Sequence, residues 1–90
     1  MQNLIVTADD YGMCDAVDKA IDAGIDNGIV TTTNVILNME TLHNAKDLRA
    51  RYPHISVGIH WNVTTGKPVS DPKDIPTLVD ENGIFWPIGV

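Results

Sequence analysis

Two adjacent carboxylates, Asp9-Asp10, and an imidazole far along the chain, His60, are the side chains here best suited to chemistry. Neighbouring carboxylates repel one another unless a cation lies between them. Brought together with His60 they could bind a divalent ion through oxygen and nitrogen, or supply an acid and a base. Each residue also has an ordinary reading. Asp closes turns and caps helices, and a half-buried His is commonly satisfied by backbone. The chemical reading therefore depends on whether the fold collects the three at one place. His43 lies among polar neighbours and His54 follows Pro53 in a connector, so both read as surface residues. The single Cys14 can form no internal disulfide and reads as a small residue at a helix start, in keeping with a reducing compartment.

The elements that must position these groups follow from hydrophobic periodicity. Leu4-Ile5-Val6 reads as a short buried strand running into the loop Thr7 to Gly12. From Asp15 the pattern is helical, with Val17, Ile21 and Ile25 on one face. Asp18, Asp22 and Asp26 form a separate row that reads as solvated, and Asn27-Gly28 reads as a left-handed cap. The β-branched run Thr31 to Leu37 predicts a second strand. Asn38 then reads as the N-cap of a helix carrying Met39, Leu42, Ala45 and Leu48, which should stop by Tyr52 because Pro53 follows. Ile55 to His60 alternates as a third strand. Its small, polar face of Ser56, Gly58 and His60 suits a cleft or barrel interior, while Ile55, Val57, Ile59 and Trp61 are expected to pack against helices.

Strand, helix, strand, helix, strand is the signature of an α/β fold with a parallel sheet and crossover helices. In such folds ligands bind at the carboxyl ends of the strands. Those ends carry Asp9-Asp10, Asn38, and His60 with Asn62 just beyond. Residues 69–90 form a loop-rich region in which Leu78-Val79 and Ile84-Phe85-Trp86 suit a small hairpin around Asp80-Glu81-Asn82-Gly83. Trp86 is a candidate stacking residue, whereas Trp61 is expected in the core.

Composition narrows the function classes. Twelve acidic against six scattered basic residues give a net charge of −6, which excludes a phosphate-gripping nucleic-acid binder. A hydrophobic content of 43% with 20% charged residues is that of a folding chain. No apolar run approaches the roughly 20 residues that span a bilayer, and Met1-Gln2-Asn3 lacks a basic signal start, so a cytoplasmic location without membrane partner is expected. The sequon Asn62-Val63-Thr64 is then incidental.

Three blocks together carry a resemblance: Thr7-Ala8-Asp9-Asp10-Tyr11-Gly12, Asn27-Gly28-Ile29-Val30-Thr31-Thr32-Thr33, and Val57-Gly58-Ile59-His60-Trp61-Asn62-Val63-Thr64-Thr65-Gly66-Lys67-Pro68. In order and spacing they resemble the opening of the YdjC-like (ChbG-type) carbohydrate deacetylases, with Thr7, Trp61 and Val63 departing from the usual residues. The resemblance implies that residues 1–90 are the N-terminal segment, about three β/α units, of a single (β/α)-barrel deacetylase domain of roughly 200 to 250 residues. It implies hydrolysis of the N-acetyl group of an amino sugar or chito-oligosaccharide, with Asp9 as base and Asp10 and His60 as metal ligands, although the two Asp could exchange roles. Asn62, Thr65 and Gly66 would shape the substrate loop. The family's usual ion is Mg2+, and a His-containing site would also accept Zn2+. The third ligand would be a downstream His, and no His follows His60. The contrasting expectations are an inactive fragment or oligomerising α/β module, such as a homodimer, and a receiver-like phospho-accepting domain. The receiver reading is weakened because the third strand ends in His60 rather than Asp.

Overall fold

A computed structural model describes residues 2–88. The β-branched centre of the chain forms strand β2 (Thr32–Ile36), flanked by β1 (Thr7–Tyr11) and β3 (Ser56–His60). All three are parallel, in the order β1-β2-β3. Helix α1 (Asp15–Asn27) connects β1 to β2, and a 3-10 turn (Leu42–Ala45) with a short helix α2 (Leu48–Arg51) connects β2 to β3. The chain is thus α/β with a parallel three-stranded sheet.

Register decides what each face carries, because partners across a parallel ladder point to the same side. Ala8 pairs with Thr33, Thr33 in turn with Val57, and Tyr11 with Val35; this face meets the helices. Its core is Tyr11, Ile21, Ile25, Val35, Leu48, Tyr52 and Ile55, with Val17 and Val57 packed against it. The opposite face presents Thr32 beside Ser56, Asn34 beside Gly58, and Ile36 beside His60. The small, polar face expected for β3 is present and extends across the sheet.

Several expectations change. Strand one is paired later than its apolar run suggests: Leu4 and Ile5 are exposed, and pairing begins at Val6, whose carbonyl accepts from the Thr31 and Thr32 amides. Ala8 and Tyr11 are the side chains that meet α1, and they set the register. The second helix does not run unbroken from Met39. The Asn38 side-chain Nδ2 donates to the carbonyls of Thr65 and Lys67, and the Thr41 backbone amide to Gly12 O at 3.0 Å, so the chain is tied across the sheet edge where a first helical turn was expected. The acidic row of α1 is solvated only at its end, where Asp26 is exposed. Asp18 is buried, accepting from the Gly12 amide at 2.7 Å and from Asn44 at 2.9 Å. Asp22 accepts from the Tyr11 hydroxyl and Arg51, and Asp26 from the Tyr52 hydroxyl. Gly28 ends α1 with φ −121°, outside the left-handed region, and its amide donates to the Gly24 carbonyl.

Beyond β3, a 3-10 turn (Pro72–Asp74) follows the loop, and Val79 bridges Phe85 in antiparallel sense. The Asp80 carboxylate accepts from the Asn82 and Ile84 amides within that turn. Among the described residues no helix is long and apolar enough to cross a membrane.

Candidate functional site

Regular alternation would send Asp9 and Asp10 to opposite faces of β1. The register between Ala8 and Tyr11 is instead broken by one extra residue, and Asp10 sits at φ +76°. A side chain other than Gly is strained there by about 1–2 kcal/mol. The bulge keeps Tyr11 on the core face and turns both carboxylates toward the polar face, where each finds its own partner.

Asp10 meets His60. Its Oδ1 lies 2.9 Å from Nδ1 of the imidazole, with both side chains about two-fifths exposed or less. That Nδ1 atom is nevertheless buried and has no hydrogen-bond partner. The atoms are close, but the N–H direction of the ring misses the carboxylate. Two donor atoms of one octahedral cation with ligand distances of about 2.05 Å are about 2.9 Å apart. The spacing of this pair and the unpartnered Nδ1 are compatible with two neighbouring ligands of such a cation. Among the described residues no third His, Cys, Asp or Glu joins them.

Asp9 lies apart from that pair, its Oδ1 accepting from Asn34 Nδ2 at 2.8 Å. The structure thus gives the two Asp different partners.

Asn62, Thr65 and Gly66 belong to one loop staple. Asn62 Nδ2 donates to Asn38 Oδ1 and to the Thr65 carbonyl, both at 2.9 Å. Its Oδ1 accepts from the amides of Thr64 and Thr65. Asn38 completes the lattice through Thr65 and Lys67. Gly66 has φ +76°, and a Cβ there would press on Met39 Sδ at 2.9 Å, so the turn requires glycine. The loop 62–67 is fastened over the ends of β2 and β3, beside a cavity of about 130 Å³ lined by Asp10, His60, Met13, Met39, Asn62 and Thr65. On the other side of His60 an apolar groove of about 390 Å³ runs past Leu37, Trp61, Val63, Val69 and Phe85.

Trp61 is 85% exposed at this mouth and not in the core, just past the end of β3 at His60. Ile59 is likewise exposed, while Ile55 is buried and Val57 partly so. Trp86 is half exposed. His43 and His54 are on the surface, and Cys14 is the free N-cap of α1. Two residues of the site carried weaker signals in the sequence. Asn34 stands out only as an amide in a strand otherwise built of Thr, Val and Ile, and the role of Asn38 in the loop is indistinguishable there from a helix cap.

A cleft of about 560 Å³ lies on the helix side among Asp18, Asp22, Asn44, Asp47 and Arg51. Arg51 is the centre of its ion pairs. Arg51 bonds Asp22 at 3.1 Å, Asp47 at 2.9 Å and the Tyr11 hydroxyl at 2.9 Å. Burial, partly offset by Arg51, pushes Tyr11 up to about 12.

A parallel α/β sheet gathers carboxylates and an imidazole at its carboxyl edge, the edge at which such folds bind ligands. The chain belongs to the YdjC-like protein family, whose model matches residues 3–90. It is 44% identical over 82 residues to a carbohydrate deacetylase of Clostridium beijerinckii, covering 91% of this chain and 33% of that protein. It is 38% identical over 80 residues to a chitooligosaccharide deacetylase of Yersinia pestis, covering 89% of this chain and 30% of that one. A solved Enterococcus faecalis structure, named for cellobiose-phosphate cleavage, superposes with a TM-score of 0.86 at 31% identity, over 96% of this chain and 34% of that one. The chain therefore spans about a third of the length of the relatives it matches.

Proposed function

We propose that these residues are the opening strands of a (β/α)-barrel hydrolase that removes the N-acetyl group from an amino sugar, with a divalent ion as cofactor. The observation that carries the reading is the Asp10 and His60 pair, held 2.9 Å apart without a hydrogen bond beside a second, separately bonded carboxylate. The names of the deacetylase relatives support the substrate class.

Asp10 and His60 would hold the ion, with a further ligand from elsewhere in the protein. Bound there, a divalent cation such as Mg2+ or Zn2+ would polarise the acetyl carbonyl and acidify water. Asp9 takes a proton from the attacking water as its oxygen bonds to the carbonyl carbon. The carbon–nitrogen bond then breaks, the amine nitrogen receives that proton, and acetate departs. The stapled loop 62–67 forms one wall of the substrate cleft.

The test is acetate release from N-acetylglucosamine oligomers by the full-length protein, before and after chelation. Release that stops with chelator and returns with Mg2+ or Zn2+ is expected. Release indifferent to chelation would overturn the metal assignment. Cellobiose phosphate, which has no acetyl group, is the contrast substrate: its cleavage in place of acetate release would overturn the deacetylase reading.

A further inference from the structure

We propose that Asn34 is a positioning residue for Asp9 and that Gly58 provides the space in which it works; this deepens the reading of Asp9 as the base. Asn34 and Gly58 are register partners on the polar face. The Asn34 side chain lies across β3 with Oδ1 over Gly58, where any Cβ would overlap it. Its other end, Nδ2, donates to Asp9 Oδ1 at 2.8 Å. Among the described residues this is the only hydrogen bond of that carboxylate, which is otherwise exposed.

Asn is a poor strand residue, so this amide adds little to the sheet itself. What it restricts is the Asp9 rotamer. A base must be held within a fraction of an ångström, and a misplacement of about 1 Å costs on the order of a hundredfold in rate. A carboxylate on an exposed bulge lacks that restriction unless something fixes it. Gly58 belongs to the same device: a methyl group there pushes the amide off Asp9 without removing any polar atom.

Asn34→Ala and Gly58→Ala, made in the full-length protein, should each lower kcat for acetate release about tenfold to a hundredfold with KM within about twofold. The double variant should be no slower than the slower single one, because both changes break the same contact. It also restores room at position 58, so it folds if Gly58→Ala alone does not. Crystal structures of the variants should show the Asp9 carboxylate displaced or in several rotamers. Unchanged kcat in Asn34→Ala, multiplicative losses in the double variant, or an unmoved Asp9 would overturn the proposal. If the wild-type protein releases no acetate, the deacetylase reading fails, and the Asp9 position in the crystals still decides the role of Asn34.

Discussion

At the scale of single residues, the costly feature is Asp10. It occupies backbone that favours glycine, in contact with an imidazole nitrogen that has no hydrogen bond. Strain kept at such a position points to function rather than stability. Asp10→Gly should therefore leave the metal-free protein at least as stable as wild type, by up to about 1 kcal/mol, while removing an ion ligand. The check is thermal unfolding with and without divalent ion. Wild type should gain about 2.7 kcal/mol when the ion is at a hundred times its Kd. Asp10→Gly and His60→Ala should gain little. An equal gain in all three would show that the ion binds elsewhere.

At the scale of elements, α1 is joined to the sheet by its acidic row as much as by Ile21 and Ile25. Asp18 is 3% exposed and holds the Gly12 amide and Asn44, thereby fixing the turn after the bulge and the 3-10 segment before α2. Asp18→Ala leaves that buried amide without an acceptor, and a loss of roughly 2 kcal/mol in denaturant unfolding is expected. A loss below about 0.5 kcal/mol would mean that water replaces the carboxylate. The sequence made some of this legible and hid the rest for physical reasons. Period-two alternation in Ser56 to His60 reports the two faces of a strand, and fourfold spacing in Val17, Ile21 and Ile25 the packed face of a helix, so β3 and α1 were readable although Ile59 is exposed. So were Asp10 and His60 as a pair brought to one edge. The bulge was not, because an inserted residue leaves no mark on composition. The break after Asn38 was hidden because the partners of its amide, Thr65 and Lys67, lie 27 and 29 residues away. The row Asp18, Asp22, Asp26 looked solvated because its donors come from Tyr11, Asn44, Arg51 and Tyr52, on other elements.

For the molecule as a whole, the helix side of the sheet is closed by one charged lattice. Arg51 joins Asp22 and Asp47 to the hydroxyl of Tyr11, which is 1% exposed, and lies 5.1 Å over the Tyr52 ring. Burial is the main cause that raises both tyrosines, with Asp22 and Asp26 adding to it for Tyr52. Arg51 is raised as well, by its bond to Tyr11 and the carboxylates, so it stays charged throughout this range. A phenol whose value is higher folded than unfolded keeps its proton longer in the native state. Tyr11 therefore contributes stability that is complete below its ordinary value of 10.0 and is lost as the pH rises toward about 12. Each such group steepens the fall by at most about 1.4 kcal/mol per pH unit. Unfolding free energy measured between pH 9 and 12 should thus drop more steeply for wild type than for Tyr11→Phe, which has no proton to lose at that position. Tyr11→Phe should also be less stable than wild type at neutral pH, since Asp22 and Arg51 lose their shared hydroxyl. Parallel curves for the two proteins above pH 10 would show that the lattice opens before Tyr11 ionises.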